Sequence, residues 1–155
     1  MTERGERRGL TAGEVAIARS VYREAIDYSA VTVCRQKWWP FQPRDYVMAP
    51  IGHLHIHPES SMWSEDFSGE EIGMRALFVH ELCHVWQTQR GVCLPLARHP
   101  FCRYHYSFRP GWPLERYGLE QQAEIARHGY MLREGHRVAG APPLSAYESI
   151  LAALR

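Results

Sequence analysis

Two histidines four residues apart, with a glutamate beside the first, form the stretch best equipped for chemistry: His80-Glu81-Leu82-Cys83-His84. On a helix, residues four apart lie on one face, so the two imidazoles can hold one ion between them. Glu81 is then placed to take a proton from an attacking water. Two histidines leave a zinc site one protein ligand short, since catalytic sites use three and keep a position for water. The extended pattern H-E-x-x-H-x-x-G-x-x-H does not supply it here. Gln87 stands at the glycine position and Arg90 at the third histidine. A later segment does supply one: Glu120-Gln121-Gln122-Ala123-Glu124. Glu120 and Glu124 share a helix face, one to bind the ion and the other to accept the free N–H of a ligand histidine. A solvated face is the plainer reading of that pair. Like charges at this spacing repel, however, and a shared cation explains them better.

The elements that must position these residues follow from pattern. Ser68-Gly69-Glu70-Glu71 reads as a capping box opening the motif helix, which runs to about Gln89 and stops at Gly91. Ala76, Leu77, Phe78, Val79, Leu82, Val85 and Trp86 make it apolar nearly all round, as in a buried helix. Two histidines and a glutamate inside such a helix need partners or cost several kcal/mol, roughly, and a metal satisfies all three. The carboxylate pair falls on a second helix from about Leu114 to Glu134, stopped by Gly135. Upstream, residues 1–10 read as a flexible N-terminal tail. Thr11-Ala12-Gly13-Glu14 is a capping box for a helix reaching about Asp27. Val31–Arg35 reads as a strand, and residues 46–49 with His53–His57 as a hairpin. His53, His55 and His57 alternate onto one face, read as solvated or lining a cleft. Residues 92–112 form a long connection rich in arginine, histidine and aromatic residues, His99 among them. A short helix over Ser145–Leu154 ends the chain.

The fold class is therefore α+β: one domain over residues 11–155, mostly helical, with a small sheet or hairpin beside the motif helix. Its 155 residues suit one core, and 45% hydrophobic with 23% charged residues is ordinary for a globular protein. A net charge of +1 gives no argument for nucleic acid or membrane surfaces. No apolar run reaches the ~20 residues of a membrane span. The charged N-terminus lacks the apolar core of a signal peptide, which makes the cytoplasm the default and leaves open an export route that reads no such signal. Cys34, Cys83, Cys93 and Cys102 form no C-x-x-C and read as reduced.

H-E-x-x-H followed by E-x-x-A-E on a second helix resembles the gluzincin metallopeptidases. Leu10–Arg19, Ala25–Tyr28, Phe78–Gln87 and Tyr117–Ile125 more closely resemble small bacterial "vgr-related" proteins and the zinc-metallopeptidase domains attached to Rhs and VgrG proteins of type VI secretion. That resemblance spans about Leu10 to Leu151. It implies a zincin-like fold and a Zn²⁺ held by His80, His84 and Glu120, with Glu124 behind them and Glu81 as the base. The implied activity is hydrolysis of amide bonds in a peptide or a peptidoglycan stem. A VgrG or Rhs secretion component is the implied partner. Cys83 stands where the family carries threonine, facing away from the ligand pair. An oxyanion donor is also required. Tyr104, His105, Tyr106, Tyr117 and His128 are candidates, with Tyr106 and His128 preferred. The alternative is a non-catalytic zinc module that docks on the secretion component. Activity, or an open coordination position, separates the two.

Overall fold

The computed structural model describes residues 1–98 and 101–154, so His99 of the aromatic connection lies outside the described residues. The helices are α1 (Ala12–Tyr22), α2 (Ile72–Gln89), α3 (Leu94–Ala97), α4 (Leu119–Arg133) and α5 (Leu144–Leu151). Four short strands, β1 (Arg7–Gly9), β2 (Thr32–Cys34), β3 (Val47–Met48) and β4 (Leu54–Ile56), form one sheet in the order β1-β2-β4-β3. β1 and β2 are antiparallel, β2 and β4 parallel, and β4 and β3 antiparallel. The architecture is a mixed α+β domain with a small sheet. None of the helices is long and apolar enough to cross a membrane, among the described residues.

α2 is the axis of the core. From Phe78 to Gln87 every residue is buried. Tyr22 of α1 donates from its hydroxyl to the Val79 carbonyl (2.6 Å), and Phe67 stacks on Phe78 with centroids 5.3 Å apart. α4 packs along α2 in the opposite direction. Gln87 near the end of α2 meets Leu119 at the start of α4, while Arg75 near the start of α2 pairs with Glu134 just past the end of α4. This antiparallel pairing brings a face of α4 to bear on the motif helix. Gly129 lets α5 approach, because a Cβ there would sit 2.9 Å from Leu151 Cδ1 and 3.1 Å from Tyr147 Cβ.

Several expected boundaries move, each for a physical reason. Where a tail was expected, Arg7–Gly9 pairs with β2, and Thr2 is buried with its hydroxyl on Glu65 (2.8 Å). Arg8 anchors the strand by a two-pronged contact with Glu14 (2.8 and 2.9 Å). Glu14 completes the expected capping box at Thr11 but also accepts the Phe67 amide (2.9 Å), so a helix cap becomes a buried junction between three segments. α1 ends at Tyr22 rather than Asp27, because Arg23 turns out of the helix at φ 54°. The expected box at Ser68 is not formed. Asp66, two residues upstream, takes the Ser68 amide and hydroxyl (3.0 and 2.6 Å) and fixes a 3₁₀ turn over Phe67–Gly69. α2 then starts at Ile72 and ends, as expected, at Gln89, with Gly91 at φ 92°. α4 starts at Leu119 after a separate 3₁₀ turn over Leu114–Arg116.

The histidine strand is also placed differently. β4 is an inner strand with β2 on one side and β3 on the other, and all three of its residues are buried. Gln42 in the loop before β3 donates to the His55 carbonyl (3.0 Å), and His55 is itself buried. His53 bonds Thr32 (2.9 Å). His55 is thus removed from the solvated or cleft-lining face expected of these histidines, while His53 and His57, which flank the strand, stay half-buried. The loop that covers β4 could not be seen in a two-residue alternation. All four cysteines are free thiols.

Candidate metal centre

The helical period of α2 sets His80 and His84 one above the other, and the crossing of α4 carries Glu120 between them. Glu120 Oε2 lies 3.2 Å from Nε2 of His80 and 3.2 Å from Nε2 of His84. One donor atom from each of the three residues falls within 4.8 Å of the others, and all three residues are buried. Glu120 Oε2 nevertheless has no hydrogen-bond partner with acceptable geometry. A buried carboxylate oxygen facing two imidazole nitrogens without a proper bond to either is the arrangement a shared cation completes. Two nitrogens and one oxygen suit zinc. The fit therefore holds on the donor set. Cys83, on the same helix, lies outside it.

Around these donors the protein supplies a surrounding layer. Glu124 Oε2 lies 3.7 Å from His80 Nδ1, as the i,i+4 spacing on α4 predicts. His128 Nε2 approaches the same oxygen at 3.7 Å, and Arg127 sits at 3.4 Å from both Glu124 oxygens. His84 Nδ1 faces Gln87 Oε1 at 2.9 Å. Gln87 Nε2 donates to the Leu119 carbonyl (3.0 Å) and to Gln122 Oε1 (2.9 Å), and Gln122 Nε2 donates to the Tyr117 carbonyl (2.8 Å). In the sequence Gln87 stands out only as the residue at the glycine position of the longer zinc pattern. Its helical spacing, three after His84, was the available signal.

The electrostatics follow from burial against contact. Burial disfavours a charged His80, but Glu120, Glu124 and Glu81 outweigh it and raise its pKa to about 9 in the metal-free protein. Burial would lift Glu120, yet the two histidines hold it well below the usual carboxylate range. Burial is likewise opposed at Glu124, which His80, Arg127 and His128 keep low. Glu81, one residue from His80, goes the other way: burial raises its pKa, only partly offset by the histidines. His128 is lowered by burial, against the pull of Glu124.

A cavity of about 700 Å³ opens over the cluster. His80, Glu81, His84 and Glu120 form one wall, and the edge strand β3 with Tyr46 and Trp38 forms part of the other. The connection after α3 folds over the donors. Arg98 Nε contacts Glu120 Oε1 at 2.8 Å, and its Nη2 donates to the Tyr104 hydroxyl (2.9 Å). The Tyr104 ring lies nearly parallel to His80, centroids 6.3 Å apart. Tyr106 and His128 do not line this cavity. They bond each other (2.7 Å), and the Tyr106 hydroxyl also meets Tyr147 (2.6 Å), so they sit behind Glu124. Tyr117 is buried, with its hydroxyl accepting the Arg109 amide (2.9 Å), and His105 is exposed, its carbonyl accepting from Gln121.

Fold and site together define an α+β domain in which two antiparallel helices present a buried two-histidine, one-glutamate donor set to a cleft. No family model matches the chain. It is 38% identical over 132 residues to the type VI secretion system spike protein VgrG2b of Pseudomonas aeruginosa, a match covering 80% of this chain and 13% of that protein. It also superposes on the effector domain of Pseudomonas aeruginosa VgrG2b with a TM-score of 0.73 at 33% identity, covering 95% of this chain and 83% of that one. The chain belongs to the VgrG2b effector-domain family.

Proposed function

We propose that the chain is a zinc-dependent hydrolase of amide bonds, a gluzincin-type metallopeptidase with a zincin-like fold, acting as an effector of type VI secretion. The observation that carries this reading is the position of Glu120 Oε2, buried, unbonded and 3.2 Å from both histidine Nε2 atoms, with Glu81 on the same cleft wall. His80, His84 and Glu120 would hold the ion. Zinc bound there would polarise a substrate carbonyl and lower the pKa of a water toward ~7. Glu81, its pKa raised by burial, takes the proton from the attacking water and passes it to the leaving nitrogen. Glu124, with Oε2 3.7 Å from His80 Nδ1, backs that ring by charge, and Tyr106 and His128 steady Glu124 rather than touch substrate. Tyr104 is the donor placed to meet a developing oxyanion, because its hydroxyl already accepts from Arg98 and keeps its own proton free. The exposed edge of β3 offers main-chain pairing to an extended peptide, and a protein segment or a peptidoglycan stem fits this mode. The zincin-like domain takes in the first ten residues as well, through β1.

The open cleft beside the donors supports hydrolysis over a structural zinc, whose site is closed. Membership in the effector family supports delivery with a VgrG or Rhs component over cytoplasmic residence. Metal analysis of the purified chain should give about one zinc per molecule. Glu81→Gln should keep that zinc and lose roughly 10²–10⁴-fold in hydrolysis of unfolded protein or stem peptides. Zinc-free wild type, or loss of zinc in Glu81→Gln, refutes the proposal.

A further inference from the structure

The two histidines of the cluster are held from behind by different chemistry. His80 has a carboxylate, Glu124. His84 has a neutral amide, Gln87, and that amide has its own support. Gln87 and Gln122 are both buried, at 2% and 5% exposure, so water does not compete for their bonds. The chain of bonds has a direction fixed at its far end. The Tyr117 and Leu119 carbonyls accept and cannot donate. Gln122 must therefore turn its NH₂ to Tyr117, which leaves its Oε1 to accept from Gln87. Gln87 must turn its NH₂ to Leu119 and Gln122, which leaves its Oε1 facing His84 Nδ1 at 2.9 Å. An oxygen in that place accepts, so His84 carries its proton on Nδ1. Its Nε2 lone pair then points at the position shared with His80 and Glu120.

We propose that Gln87 and Gln122 are positioning residues for the metal centre: a two-amide relay, anchored on the start of α4, that locks the tautomer and ring orientation of His84. The relay joins the two helices that supply the donors, so it also fixes the spacing of His84 from Glu120. It rests on the zinc-hydrolase reading for its purpose, though not for its geometry. A neutral partner has a further consequence. With Glu120, Glu124 and Glu81 already facing the site, a fourth carboxylate at residue 87 would face the Leu119 carbonyl and Gln122 Oε1, both acceptors.

The test compares the whole chain with Gln87→Met, Gln122→Met, the double variant and Gln87→Glu. Zinc affinity is read by chelator competition, unfolding by temperature, and the His84 Nδ1–H by imidazole nitrogen NMR. Gln87→Met should weaken zinc binding by roughly 10–100-fold and lose the Nδ1–H signal. Gln122→Met should weaken it less, and the double variant should match Gln87→Met within about twofold, since Gln122 acts through Gln87. Gln87→Glu should unfold at lower temperature than Gln87→Met yet keep the Nδ1–H and bind zinc more tightly than Gln87→Met, because a carboxylate still accepts from His84 although its links to α4 are lost. A Gln87 that merely fills the core predicts instead that zinc affinity tracks stability in both variants, and that result overturns the relay. So does Gln87→Met binding zinc as tightly as wild type. Should wild type bind no zinc, the hydrolase reading fails separately. The relay is then decided by the Nδ1–H of the metal-free protein: present in wild type and absent in Gln87→Met supports it, and no difference overturns it.

Discussion

Without metal, the buried cluster depends on the positive charge of His80 among three carboxylates, and its stability should run opposite to that of a zinc site as pH changes. Burial alone would keep His80 neutral. Glu120, Glu124 and Glu81 outweigh it and raise the histidine from 6.5 to about 9. A raised histidine stabilises the fold fully below its unfolded value and loses that contribution as pH climbs through the folded one. The window is therefore pH 6.5 to about 9. The difference between those two values, at about 1.4 kcal/mol per tenfold, amounts to about 3 kcal/mol. In a domain of this size that is roughly 6–12 °C in Tm. Glu81, raised by burial, adds a decline of the same sign, beginning above the ordinary glutamate value. Glu120, held low by the histidines, does the reverse and loses its contribution only on acidification below that value. Zinc changes the direction, since it competes with the His80 proton and binds more tightly as that proton leaves. Thermal unfolding at pH 6.5, 7.5, 8.5 and 9.5, in chelator and in excess zinc, reads both slopes. Metal-free Tm should fall across the series while the gap between loaded and free protein widens. A metal-free Tm that is flat or rising, or a gap that narrows, refutes the reasoning.

Two substitutions test how the fold holds the site. Arg8→Met removes the two-pronged partner of Glu14, which is fully buried. Leaving that carboxylate short of its cation should cost about 3–5 kcal/mol in urea unfolding; a loss under about 1 kcal/mol, the range of an exposed pair, would show that β1 is not anchored there. Gly129→Ala pushes a methyl to 2.9 Å from Leu151 Cδ1 and should cost about 1–3 kcal/mol by crowding α5 against α4. Combining it with Leu151→Ala should recover part of that specific clash, which a double-mutant cycle measures.

What could be read from the sequence was what local geometry determines. α2 was legible almost end to end because eleven of its residues are buried and its stop at Gly91 is a left-handed turn. His80, His84, Glu120 and Glu124 come together because the 3.6-residue period places each pair on one face of its helix before any packing is known. β1 was hidden for the opposite reason. Arg7-Arg8-Gly9 has no β-branched residue, and its strand conformation comes from pairing with β2 and from the Arg8–Glu14 contact, both long-range. The Ser68 box failed through local competition, since Asp66 offered the same amide a better acceptor.

The residues around the candidate metal centre divide along the same line. Tyr104 and Tyr106 are two apart in one irregular connection, and nothing in their spacing tells which of them faces the cleft. The answer comes from partners elsewhere. Tyr106 is drawn back by His128 and Tyr147, on α4 and α5, and Tyr104 is held forward by Arg98, which reaches across to Glu120. Gln87 stands between these cases. Its position on the His84 face was readable from α2 alone, but its value depends on Gln122 and on two carbonyls at the start of α4. A polar residue three after a candidate ligand histidine on a buried helix therefore calls for a search for its partner, because an amide buried there without one would cost more than an apolar side chain in its place.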